Sequence, residues 1–108
     1  MGLERIILSQ KAENDLNNLA EVLFYQNYFG FKKDAKAYVQ KIRDYIEIIP
    51  NGHIKLCSNN KFGKYYVRYD NPKSKMKYYI TFIKLDDNYL IKKIISPKTI
   101  EYQLMMGK

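Results

Sequence analysis

The spacing of the apolar residues changes once along this chain, near Pro50, and that change limits the folds available to it. Before Pro50, apolar residues recur every three or four positions in two segments, as on one side of an amphipathic helix. The two stripes are Ala12, Leu16, Leu19, Ala20, Leu23, Phe24 and Ala35, Tyr38, Val39, Ile42, Ile46, Ile49. After Pro50, apolar and polar residues alternate, as in strands with one buried face. We therefore expect two helices followed by a sheet.

Residues that favour helix ends and turns mark the limits of these segments. A short apolar run at 5–9 predicts a first strand, and Ser9 occupies an N-cap position for a helix that runs to about Asn27. The second helix is expected from about Lys32 to Ile48, because Pro50 cannot continue it. Three strands are expected at 63–70, 76–85 and 89–96, and residues 53–62 are expected to form a loop.

This order predicts an α+β fold, with an N-terminal strand and then a helical hairpin packed on one face of a mostly antiparallel sheet. The order is β-α-α-β-β-β, and a chain of 108 residues suits a single domain over 1–108. The opposite sheet face is expected to remain open. By strand alternation it should display Tyr66, Arg68, Lys77, Tyr79 and Thr81.

Positive charge is concentrated in the second half of the chain. Residues 1–54 carry seven Lys or Arg against seven Asp or Glu, whereas residues 55–108 carry twelve against four, an excess of eight. Seven of the eleven tyrosines also lie in that half. A positive field beside flat aromatic surface is typical of proteins that bind a polyanion with stackable bases, although surface lysine also simply improves solubility.

Three segments resemble the RelE/ParE superfamily of toxins from bacterial type II toxin–antitoxin operons. Residues 7–16, ILSQKAENDL, are similar to the family's opening strand and helix start. The sequence Ile48-Ile49-Pro50 is similar to the end of its second helix. The stretches GKYYVRYD and KYYITFIKLDDNYLIKKIIS are similar to its closing strands. The resemblance covers nearly the whole chain.

The resemblance implies a function and a set of site residues. RelE-like members cleave messenger RNA on the ribosome with no metal or other cofactor, and the family's toxins bind a cognate antitoxin, here expected to use an acidic segment. By position, the residues expected to be catalytic are Arg68, Lys98 and Tyr102. The residues expected to contact RNA are Lys64, Tyr66, Lys77 and Tyr79.

Two positions depart from the ribonuclease pattern, and three functions therefore stay open. Tyr79 and Thr99 stand where RelE-like ribonucleases have arginines. The first hypothesis is an endoribonuclease acting on ribosome-bound transcripts. The second is a ParE-like inhibitor of DNA gyrase that does no chemistry, and the third is a basic RNA-binding module. Arg68 itself has an alternative role as the partner of Asp70 or Asp87 in an ion pair.

The chain shows no signal for a membrane or for export. Its first nine residues lack the apolar stretch of a signal peptide, and Lys or Asp residues interrupt every later apolar run. Cys57 is the only cysteine, so an internal disulfide is impossible. We expect a cytoplasmic protein that does not enter a membrane.

Overall fold

The computed structural model describes residues 5–25, 32–49, 54–70, 77–97 and 99–107. Within these ranges the chain forms three helices and a five-stranded sheet that is antiparallel except where β1 pairs with β5. The elements are β1 (Arg5–Leu8), α1 (Gln10–Tyr25), α2 (Lys32–Glu47), β2 (Lys55–Leu56), β3 (Tyr65–Asp70), β4 (Lys77–Leu85), β5 (Asn88–Ile95) and α3 (Ile100–Met105). The predicted α+β class and element order are confirmed.

The sheet has the strand order β1-β5-β4-β3-β2, so β1 and β2 are its edges. Strands β3, β4 and β5 follow one another in the chain and pair as antiparallel neighbours. Strand β1, which precedes the helical hairpin, pairs in parallel with β5, the last strand. The segment 53–62 was expected to be a loop, yet it contributes the two-residue strand β2 beside β3. Two residues carry too little alternation to identify a strand from sequence.

The helical hairpin packs on one sheet face and forms the larger core. Leu16 of α1 and Ile42 and Ile46 of α2 are fully buried against side chains such as Ile80 and Phe82. Ser9 caps α1 as expected, because its Oγ accepts the Ala12 N–H at 3.1 Å. Among the described residues, no helix is both long and apolar enough to cross a lipid bilayer.

A β-bulge in β5 ties the sheet to the start of α1. The pairing of β4 with β5 shifts between Thr81 and Phe82, so Lys92 is an extra residue without a partner across the ladder. The Ser9 hydroxyl donates to the Lys92 carbonyl oxygen at 3.2 Å. Next to the bulge, Asp15 Oδ2 of α1 accepts the Ile94 N–H at 3.1 Å and lies 3.4 Å from Lys93 Nζ. Two residues from the start of the chain, Ser9 and Asp15, thus bind the part of β5 that contains the bulge.

The second sheet face is partly covered, which the sequence did not predict. Helix α3 and the segment 57–62 pack on it and form a small separate core of Cys57, Tyr66, Tyr79, Ile95 and Met105. Tyr66 and Tyr79 are only 7% and 8% exposed, and Thr81 is fully buried. The prediction that these three side chains are displayed is therefore wrong, whereas Arg68 and Lys77 are exposed as expected.

Two hydrogen bonds hold α3 in this position. The Thr99 hydroxyl oxygen caps the helix by accepting the Tyr102 N–H at 3.2 Å. At the other end, the Ser58 N–H donates to the Met105 carbonyl oxygen at 2.9 Å. Met105 is fully buried, so the last turn of α3 anchors the helix to the sheet and to the loop after β2.

Candidate functional site

Arg68 projects from β3 on the sheet face opposite the helical hairpin. It lies directly across from Tyr79 of β4, and its side chain is about half exposed. Helix α2 fixes the backbone here, because the Tyr45 hydroxyl donates to the Arg68 carbonyl oxygen at 3.0 Å. The guanidinium therefore extends from a rigid strand rather than from a loop.

Asp70 forms an ion pair with one side of this guanidinium. Arg68 Nε and Nη2 each lie 3.1 Å from the same Asp70 Oδ2, so the ion-pair alternative for Arg68 is confirmed. Both side chains are about half exposed. A pair this exposed contributes between 0 and about 1 kcal/mol, so a phosphate group can compete with the carboxylate for Arg68.

Three tyrosines from three elements gather beside Arg68. The ring centroid of Tyr79 lies 4.9 Å from that of Tyr102 on α3 and 5.8 Å from that of Tyr66 on β3. The tilted rings have the separations of favourable aromatic pairs. The short C-terminal helix therefore brings Tyr102 next to two strand residues that are more than twenty positions away in sequence.

The surroundings of Tyr79 keep its hydroxyl protonated. Burial raises its pKa above the usual value near 10, and a hydrogen bond with Tyr102 raises it further. Arg68 acts in the opposite direction, through its charge and through a hydrogen bond, but the net pKa is still raised. Near neutral pH the Tyr79 hydroxyl is thus a hydrogen-bond donor and not a base.

The neighbouring groups are also neutral at physiological pH. Burial raises the pKa of Tyr66, with Cys57 and Tyr102 adding to the rise and Arg68 opposing it. Burial alone raises the pKa of the Cys57 thiol to about 11, so this cysteine is a poor nucleophile. The charge of the cluster therefore comes from Arg68.

The remaining predicted site residues are spread along the sheet. Lys77 is exposed and lies across from Asp70, two pairs beyond Arg68 and Tyr79 in the ladder. Lys64 precedes the other end of β3, and its Nζ lies 5.6 Å from the centroid of the Tyr65 ring. Lys98 lies outside the described residues. The structure thus brings together Arg68, Tyr66, Tyr79 and Tyr102, with Lys77 at their margin.

Sequence reasoning missed the residues that assemble this cluster. Met105 and Phe62 cover the tyrosines, and Thr99 caps the helix that carries Tyr102. A signal for α3 was present, since Thr99 precedes apolar residues at helical spacing, namely Tyr102, Met105 and Met106. Thr99 therefore has a structural reason to occupy its position, independent of any phosphate contact.

Within the described ranges, no group of three or more His, Cys, Asp or Glu side chains is arranged as metal ligands would be. Comparison of the chain with protein-family models, with characterised proteins and with solved structures gave no match in any of the three.

Proposed function

We propose that this chain is the toxin of a type II toxin–antitoxin pair and cleaves messenger RNA on the ribosome. The observation that carries the proposal is the placement of a half-exposed arginine beside two tyrosine hydroxyls. Arg68, Tyr79 and Tyr102 come from β3, β4 and α3; Tyr79 lies across from Arg68 in the sheet, and its ring centroid lies 4.9 Å from that of Tyr102. An arginine fork with adjacent proton donors suits phosphoryl transfer within RNA.

In the proposed reaction, a ribose 2′-hydroxyl loses its proton to solvent water and attacks the adjacent phosphorus, the bond to the 5′-oxygen breaks, and a 2′,3′-cyclic phosphate and a free 5′-hydroxyl are formed. Arg68 would bind the phosphate and stabilise the extra negative charge of the pentacoordinate transition state. Tyr79 would donate a hydrogen bond to the phosphate or a proton to the leaving 5′-oxygen, because its raised pKa keeps the hydroxyl protonated. Tyr102 would orient Tyr79 and relay the proton.

The buried tyrosine rings change the proposed role of two residues. Tyr66 and Tyr79 cannot stack on bases while α3 covers them, so Tyr79 acts through its hydroxyl and Tyr66 supports its ring. Lys64 and Lys77 remain exposed at opposite ends of this sheet face and would contact the RNA backbone. The same cations would attract the acidic segment proposed for the antitoxin.

The test is inducible expression of the wild type beside Arg68→Ala, read by growth and by mapping transcript 5′ ends. Wild type should arrest growth and produce new 5′ ends in translated regions. Loss of one transition-state donor lowers a rate by about 10²–10³-fold, so Arg68→Ala should restore growth and remove those ends. Lys41→Ala, which removes an exposed charge from α2, should remain fully toxic.

Hydroxyl deletions separate chemistry from folding. Tyr79→Phe and Tyr102→Phe keep the tilted ring pair and remove only the oxygen atoms, so both should fold normally and cleave more slowly. If Arg68→Ala stays fully toxic, the assigned site is wrong. Inhibition of gyrase supercoiling with intact transcripts would favour the ParE-like alternative, and RNA binding without growth arrest would favour the RNA-binding module.

A further inference from the structure

One proton transfer in the proposed reaction has no side chain to perform it. Tyr79 gives a proton to the leaving 5′-oxygen, whereas the 2′-hydroxyl loses its proton to solvent water. Water is a weak base near neutral pH, and a positioned side chain speeds such a transfer by about 10²–10⁴-fold. A carboxylate beside the phosphate site would therefore raise the cleavage rate.

Asp70 is a carboxylate held at this place. Arg68 Nε donates to Asp70 Oδ2 at 3.1 Å, and Arg68 Nη2 lies 3.1 Å from the same oxygen. The two residues are two positions apart on β3, so both side chains belong to the sheet face opposite the helical hairpin. Each side chain is about half exposed, so an RNA strand can reach both.

Arg68 can bind a phosphate without releasing Asp70. A guanidinium presents its N–H donors as a planar fork and has more of them than one carboxylate oxygen can use. Asp70 Oδ2 lies at the side formed by Nε and Nη2, so N–H groups of the two Nη atoms remain for a phosphate. In RNA the 2′-hydroxyl is adjacent to the phosphate that it attacks. A phosphate on Arg68 therefore brings the 2′-hydroxyl toward the Asp70 carboxylate.

The positions of Asp70 and Tyr79 suit an in-line displacement, in which the attacking and leaving oxygens lie on opposite sides of phosphorus. Tyr79 lies directly across from Arg68, and Asp70 lies two residues farther along β3, across from Lys77. Asp70 and Tyr79 are thus diagonal neighbours, whose backbones are about 7–8 Å apart in an antiparallel pair. This separation admits a phosphate between the two side chains, with a hydrogen bond of about 2.6–3.2 Å on each side.

We propose that Asp70 is the general base of this reaction, an inference that rests on the proposed cleavage of RNA. An Asp70 oxygen takes the 2′-hydroxyl proton, the 2′-oxygen bonds to phosphorus, and the bond to the 5′-oxygen breaks as Tyr79 protonates that oxygen. The products are the 2′,3′-cyclic phosphate and the 5′-hydroxyl. Asp70 then passes its proton to water, which its half-exposed side chain reaches directly, and Tyr79 regains a proton from solvent by way of Tyr102.

The other role open to Asp70 is that of a carboxylate that only competes with RNA for Arg68. Its removal would then free the guanidinium, and cleavage would stay as fast or become faster. Removal of a general base slows cleavage instead, although loss of a negative charge leaves RNA binding as tight or tighter. The two roles therefore predict rate changes of opposite direction.

The test compares single-turnover cleavage of a short labelled messenger RNA on ribosomes by the purified wild type and by Asp70→Asn. Asparagine keeps an oxygen that can accept the Arg68 N–H, but it cannot take up a proton. We expect the cleavage rate to fall by about 10²-fold or more, while the protein concentration that gives half-maximal cleavage stays the same or falls. Asp87→Asn, the same change at an exposed position of the turn after β4, should cleave like the wild type.

A small carboxylate separates a chemical role of Asp70 from a structural one. In Asp70→Ala, added formate can act as the base and should restore part of the rate in proportion to its concentration, whereas chloride at the same ionic strength should not. Arg68→Ala lacks the phosphate ligand, and formate should not restore it. If the wild type cleaves and Asp70→Asn cleaves as fast or faster, Asp70 is not the base, although the proposed function stands. If the wild type cleaves no RNA, the proposed function fails and the role of Asp70 fails with it.

Discussion

Replacing Asp15 with alanine should destabilise the fold, because one carboxylate satisfies two groups at the β5 bulge. The Ile94 N–H donates to Asp15 at 3.1 Å, and Lys93 Nζ lies 3.4 Å away. The Lys93 and Asp15 side chains are 13% and 20% exposed, so water replaces neither contact fully. A hydrogen bond to a charged acceptor contributes about 1.5–3 kcal/mol, and an unpaired lysine adds to the loss. We expect Asp15→Ala to lower the free energy of unfolding by about 2–4 kcal/mol.

Urea unfolding followed by circular dichroism measures this change, and an exposed aspartate provides the control. Asp44 on α2 accepts a hydrogen bond from Gln40 Nε2 at 3.0 Å, but both residues are exposed. Asp44→Ala should therefore change the free energy of unfolding by less than about 0.5 kcal/mol. If Asp15→Ala is equally mild, the carboxylate does not stabilise this part of β5 and our assignment of its two contacts as stabilising is wrong.

A double-mutant cycle separates the two contacts of Asp15. Asp15→Asn keeps an oxygen that can accept the Ile94 N–H but removes the charge that pairs with Lys93. Lys93→Met removes the ammonium while keeping an apolar stem. Combining Lys93→Met with Asp15→Ala should recover about 1 kcal/mol relative to the sum of the single variants, because Lys93 no longer lacks its partner.

Three further changes address the small core and the turns. Gly63→Ala should lower the free energy of unfolding by about 2–4 kcal/mol, because φ at Gly63 is +155° and an added Cβ would lie 3.0 Å from Phe82 N. The neighbouring change Lys64→Ala should be nearly neutral in the same urea assay. Burial raises the pKa of the folded Cys57 thiol to about 11, whereas the thiol of the unfolded chain ionises first, near pH 9. The free energy of unfolding should therefore fall by up to about 2–3 kcal/mol as the pH rises from about 9 to about 11. Cys57→Ala should flatten this pH profile. Asp86→Gly should raise the thermal midpoint, because φ is +56° at the first position of a two-residue hairpin turn and glycine adopts it at a gain of about 0.5–1 kcal/mol.

The larger core was predictable from sequence because each of its elements carries a long periodic signal. Sixteen-residue helices and strands of six to nine residues repeat their pattern often enough to define a buried side. Ser9 also identified the start of α1 by its chemistry. The parallel pairing of β1 with β5 was not predictable in this way, because it joins two strands that are about eighty residues apart.

The candidate site was only half predictable, and the reason is the length of α3. Strand alternation correctly placed Arg68 and Tyr79 on one face, and the structure adds that they lie opposite each other in register. It could not indicate whether that face is covered, which depends on a six-residue helix anchored mainly by Met105. The prediction that Tyr79 is exposed was therefore wrong, although its place in the sheet was right.

Tyrosine at position 79 and the docking of α3 are physically linked. The Tyr79 ring is 8% exposed and packs against Tyr102 at 4.9 Å, so a side chain here must tolerate loss of water. A guanidinium at this position would lose most of its hydration and would lie beside Arg68, with like charges across the strand pair. An arginine is therefore compatible with this face only where no helix covers it. Tyr79 supplies no cation, but as a neutral ring it can be covered by α3, which brings the Tyr102 ring to 4.9 Å from its own. For this reason the proposed chemistry centres on one arginine and two tyrosines.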